Sequence, residues 1–113
     1  MSITTGTVDF VALLKYRTTE QGGRNSQVFN SGYRPQIKFP FSEMQTSGQQ
    51  KFLDKDVVFP GDTVTAEIQL LSPDFYENEL TEGMGFEFLE GSRIIGTGEI
   101  KQLINQRLKK ASR

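Results

Sequence analysis

The chain is 113 residues long, 35% apolar and 24% charged, with a net charge of −1 and neither cysteine nor histidine. That length and composition fit one compact globular domain. Without cysteine there are no disulfides and no zinc sites of the usual kind, and without histidine the commonest general base and the usual activator of a serine or cysteine nucleophile are missing, which excludes most hydrolase constellations.

The net charge conceals an uneven distribution. Residues 101 to 113 carry five bases and no acid, which leaves eight bases and fourteen acids, a balance of −6, on residues 1 to 100. Such a body repels a polyanion unless its bases gather on one face. The opening MSITTGTVDF has neither a basic n-region nor an apolar h-region, and the longest mainly apolar run, Phe10 to Leu14, is far too short to span a bilayer. The expectation is a soluble cytoplasmic protein with no membrane association.

Taken in order, Thr7 to Tyr16 (TVDFVALLKY) is rich in β-branched and aromatic residues, the composition of a first strand buried on one side and partly covered on the other. Arg17 to Gln27 (RTTEQGGRNSQ) has loop composition, and Gly22-Gly23 offers the positive φ of a tight reversal, which puts Arg24 on an exposed loop. Gly32 to Phe41 (GYRPQIKFPF) sets Tyr33, Pro35, Ile37, Phe39 and Phe41 on one face and Arg34, Gln36 and Lys38 on the other. That period predicts a half-buried strand running to about Met44. Gln45 to Gln50 (QTSGQQ), polar around a central glycine, reads as the next turn, and Lys51 to Asp56 as a short strand or irregular connection.

Pro60-Gly61-Asp62 turns the chain into a second alternating run, Val64, Ala66, Ile68 and Leu70 against Thr65, Glu67 and Gln69. Ser72 to Gly83 carries four carboxylates, Asp74, Glu77, Glu79 and Glu82, and reads as a solvated loop, because calcium loops place their oxygens at tighter spacings around a specific turn glycine. Met84, Phe86 and Phe88 alternate, Glu90 to Arg93 turns the chain, and Ile94 to Ile100 returns as a hairpin partner with Gly96 and Gly98 at crowded backbone positions. The last strand is expected to end near Ile104, leaving residues 105–113 as a basic tail, frayed or a short helix. About six strands joined by short turns imply a closed antiparallel barrel or a small sandwich.

Three stretches stand in order: EQGGR at Glu20 to Arg24 followed by GYRPQ at Gly32 to Gln36, FPGDTV at Phe59 to Val64, and EGSRIIGTG at Glu90 to Gly98. Together they resemble the C-terminal barrel, domain 3, of the bacterial translation elongation factor EF-Tu, over about Asp9 to Ile104. The resemblance implies an all-β fold, a six-stranded antiparallel Greek-key β-barrel spanning residues 1–104. In the parent factor this domain is not catalytic; it packs on the GTPase domain and the second barrel, contributes to binding the T stem of aminoacyl-tRNA, and touches the nucleotide-exchange factor. Here there is no G-x-x-x-x-G-K-[ST] phosphate loop, so the expectation is a stand-alone, non-enzymatic binding module that takes no nucleotide, cofactor or metal.

Residue by residue, the resemblance implies two sets of contacts. Tyr33, Arg34 and Gln36 match family positions at or near the face that meets neighbouring domains, and are the candidates for binding a protein partner. Arg24 matches the arginine of the family's GGR motif, which lies near tRNA phosphates, and Gly91 matches the turn glycine that approaches the RNA backbone; with Asn25 they are the candidate RNA-binding residues. Asn25 stands where the family usually has histidine, and Ser72 where it has a lysine or comparable residue before a proline. Each lost cation removes a phosphate contact, so a protein is the expected partner and tRNA the alternative.

Overall fold

Strands that alternate inward apolar with outward polar residues can hide the apolar face by curling the sheet onto itself, and closure leaves no exposed edge. The computed structural model, which describes residues 8–111, adopts this solution. Its strands are β1 (Phe10–Tyr16), β2 (Val28–Phe29), β3 (Gln36–Lys38), β4 (Gln45–Phe52), β5 (Val57–Val58), β6 (Thr63–Leu70), β7 (Gly85–Glu90) and β8 (Arg93–Leu103). Six of them close an antiparallel barrel in the order β1-β6-β4-β3-β7-β8, with β8 pairing back onto β1, while β2 and β5 form a separate ribbon. β3, β4 and β6 follow one another side by side and β7 returns to the other edge of β3, which makes the connectivity a Greek key. Among the described residues no helix is long and apolar enough to cross a membrane.

The barrel interior is filled by the alternation that the sequence carries. Phe10, Ala12, Leu14 and Tyr16 of β1 face Val64, Ala66, Ile68 and Leu70 of β6, all buried. Phe10 meets Phe86 and Phe39 edge-on at ring separations of 5.7 and 6.3 Å, within the range where aromatic pairs add to simple burial. Gly96 and Gly98 make room for the rings of their cross-strand partners Phe88 and Phe86: a β-carbon on Gly96 would lie 2.5 Å from both Phe88 Cζ and the Lys15 carbonyl oxygen.

The middle of the chain departs from expectation. Residues 45–50 are no turn but most of β4, one of the longer strands. Its inward residues are Thr46, Gly48, Gln50 and Phe52, so the apolar signal that marks a strand is lost until Phe52. Gly48 serves packing: a β-carbon there would collide with the Ile37 side chain. The long strand expected to Met44 is correspondingly short. β3 covers only Gln36–Lys38, and the chain turns at Pro40 and Phe41 to begin the hairpin into β4. Pro35, Ile37 and Phe39 keep the expected inward phase, whereas Phe41 is exposed and stacks on Phe39.

The segments after β6 and β8 are also more ordered than a solvated loop and a tail. Pro73–Tyr76 forms a 3-10 turn whose Tyr76 is buried, and Leu80 is buried behind it. Gln106–Leu108 forms a second such turn, with Leu108 only 1% exposed and the Lys110 amide donating to the Leu80 carbonyl at 2.7 Å. Residues 105–110 therefore pack on the barrel rather than fray from it; residues 112–113 lie outside the described residues.

Candidate functional site

The loop from Arg17 to Gln27 is shaped by its glycines. Gly22 has φ +97°, and a β-carbon on Gly23 would lie 2.5 Å from the Arg17 carbonyl oxygen, so the reversal accepts no side chain at either position. The reversal aims Arg24 across the barrel mouth at Glu90, the last residue of β7, and the two form an ion pair. The Tyr33 hydroxyl donates to the same carboxylate oxygen, Oε2, and the Arg24 guanidinium lies 5.4 Å from the Tyr33 ring centre. Arg24 Nε also donates to the Ser26 carbonyl at 3.3 Å.

The electrostatics follow from this arrangement. Partial burial works against the charge of Arg24, but the hydrogen bond and attraction of Glu90 outweigh it and raise its pKa further. Tyr33 is held protonated above the usual tyrosine range, first by burial and then by its bond to Glu90. Behind it, buried Tyr16 donates to Gln50 Oε1 at 2.5 Å, and the Gln50 backbone N–H donates to the Tyr33 carbonyl at 2.9 Å, which ties the Tyr33 segment to the buried Tyr16–Gln50 pair.

The candidate residues therefore regroup. Tyr33, assigned with Arg34 and Gln36 by the resemblance, is placed with Arg24: its hydroxyl reaches Glu90 and its ring lies against the Arg24 guanidinium. Gly91 follows Glu90 in the turn at φ +60°, with open space around it, and Asn25 is exposed beside Arg24. Arg34 and Gln36 lie together on the outer face, Arg34 donating to Gln49 Oε1 and Gln36 to Ser47 Oγ at 3.1 Å. Next to them a shallow groove of about 350 Å³ is lined by Arg34, Gln49, Gln69, Leu70 and Leu71.

Glu90, the residue that organises the mouth, is a lone carboxylate before a turn, and nothing local to it signals a partner 66 positions away. The carboxylates after β6 diverge: Asp74 and Glu77 face Arg107, and Glu82 accepts the Leu103 amide at 3.0 Å. Among the described residues no group of three or more acidic side chains could hold a metal ion. No family model matches the chain.

Proposed function

We propose that this chain is a non-catalytic binding module of the EF-Tu domain 3 type whose partner is a protein. The observation that carries this reading is the engagement of Arg24. A phosphate ligand needs the guanidinium fork available, and here Glu90 and Tyr33 occupy it, so binding RNA at this point requires breaking an ion pair already made. The acidic balance of residues 1–100 weighs in the same direction.

The outer face around Arg34 and Gln36 has the composition of a protein-binding surface. The outward side chains of β4 and β6 include Gln45, Ser47, Gln49, Thr63, Thr65 and Gln69, with only Lys51 and Glu67 charged. Leu71 stands at the edge of this face, 68% exposed beside Arg34. A charge-depleted patch with an apolar anchor and an arginine matches the centre of many protein interfaces. The absence of cysteine accords with a reducing compartment such as the cytoplasm.

Affinity capture from host lysate, with and without ribonuclease, tests the reading. The expected result is a nuclease-resistant protein retained by the wild type and lost with Arg34→Ala or Leu71→Ser. Enrichment of tRNA that disappears with Arg24→Ala would overturn it.

A further inference from the structure

On the outer face where β1 meets β8, a pocket of about 450 Å³ is lined by Lys15, Tyr16, Arg17, Gln21 and Thr97. Lys15 and Thr97 are directly opposed across the β1/β8 ladder, and the loop after β1 brings Arg17 and Gln21 over them. Two of the donors are held in place from within the loop. Arg17 Nη1 donates to the Gln21 carbonyl at 3.3 Å, which leaves the rest of the guanidinium fork available. Gln21 Oε1 accepts the Thr18 amide at 2.9 Å, which fixes the side-chain amide with its nitrogen as the remaining donor.

The two cations of this pocket, Lys15 and Arg17, make no ion pair among the described residues, although acids outnumber bases on the chain. Glu99, the next outward residue of β8 beyond Thr97, is taken by Lys101 at 3.5 Å, while Glu87, directly opposite Thr97 on β7, and Glu20, exposed on the loop, form no ion pair with either cation. The pocket lining thus carries two positive side chains, a primary amide and a hydroxyl.

We propose that this pocket binds a terminal phosphate group. Two cations match the charge of a phosphate monoester, roughly −1.5 to −2 near neutral pH, better than the single charge of a carboxylate or of a nucleic-acid phosphodiester. The neutral donors Gln21 and Thr97 supply hydrogen bonds for the remaining phosphate oxygens, and the volume leaves room for the small organic body that carries the phosphate. Its lining includes neither Arg24, which Glu90 holds, nor Arg34 and Gln36.

The test is a two-dimensional amide NMR titration of the intact chain with glycerol phosphate, with dimethyl phosphate and acetate as monoanionic comparisons. The expected result is saturable shifts confined to residues 15–21 and Thr97, affinity about tenfold weaker in Arg17→Gln and several-fold weaker in Lys15→Gln, and much weaker binding of both monoanions. If Arg17→Gln loses its folded spectrum, Lys15→Gln and Thr97→Val, both on the exposed ladder, carry the comparison. Shifts without saturation, shifts spread over all basic residues, equal binding of dimethyl phosphate, or unchanged affinity in the variants would overturn the proposal.

Discussion

Arg24 and Tyr33 meet on a single atom, the Oε2 oxygen of Glu90, and the guanidinium lies against the tyrosine ring that shares it. The loop after β1, the segment leading into β3 and the end of β7 are cross-linked at this one carboxylate, so its removal is felt by all three. The Arg24 and Glu90 side chains are 25% and 37% exposed, and solvent screening keeps the ion pair modest. Glu90→Ala is expected to lower the unfolding free energy by about 1–2 kcal/mol, most of it from the tyrosine left without its acceptor. A double-mutant cycle with Tyr33→Phe, read by urea denaturation, should give a coupling of about 0.5–1 kcal/mol; no coupling would show that the bond is not made in solution.

The tyrosines set an alkaline limit. Burial raises the pKa of Tyr16, Tyr33 and Tyr76 above that of a free tyrosine, with Glu90 adding to the first two. A raised native pKa means that the unfolded chain releases these protons first, so their stabilisation is complete below about pH 10 and is lost as pH rises through the native values. Each such tyrosine contributes a slope of up to about 1.4 kcal/mol per pH unit. Absorbance titration near tyrosinate's ultraviolet band, followed together with circular dichroism, should show ionisation and unfolding in one step above pH 10.

Two glycines of the same hairpin should respond oppositely. Gly96→Ala places a methyl group against both a core ring and a backbone carbonyl, and is expected to cost about 1–3 kcal/mol. Gly85→Ala meets only the Gly98 carbonyl oxygen at 3.6 Å, and should be neutral or stabilising by about 0.5 kcal/mol through the unfolded chain. Thermal melts of the pair check this directly.

Leu108 tests where the folded unit ends. It is buried against a turn that also docks through the Lys110 amide, so Leu108→Ala should cost about 2–4 kcal/mol and deletion of residues 105–113 at least as much. A truncated chain as stable as the full one would place the boundary of the folded unit at Ile104.

What could be read in advance follows from where each signal resides. β6 and the β7/β8 hairpin were legible because their inward positions are apolar and their turns carry glycine, and the pressure on Gly96 was visible in its place opposite an aromatic strand. β4 was not, because Thr46, Gly48 and Gln50 point inward and an amide-rich strand has no apolar period. Resemblance grouped Arg24 with Asn25 and Gly91, yet the partner that decides what Arg24 does is Glu90, and an ion pair between distant positions leaves no trace in local spacing. Asp9 is a further case: buried, it accepts the Leu70 amide at 2.7 Å and the Asn105 side chain at 2.9 Å, contacts that only the closed barrel creates.

The place of β1 in the barrel has a consequence for the nascent chain. It is the earliest barrel strand to leave the ribosome, and both of its neighbours, β6 and β8, come late. Until β6 is made, β1 presents a pair of unpaired edges and the side chains of Phe10, Leu14 and Tyr16 to the surroundings. The β3/β4 hairpin can form during synthesis, but closure waits for Leu103 and for Asn105 to reach Asp9. Barrel closure is thus a late step, on the ~millisecond-to-second scale of barrels built from distant pairings, and β1 is the barrel strand that waits longest for its partners.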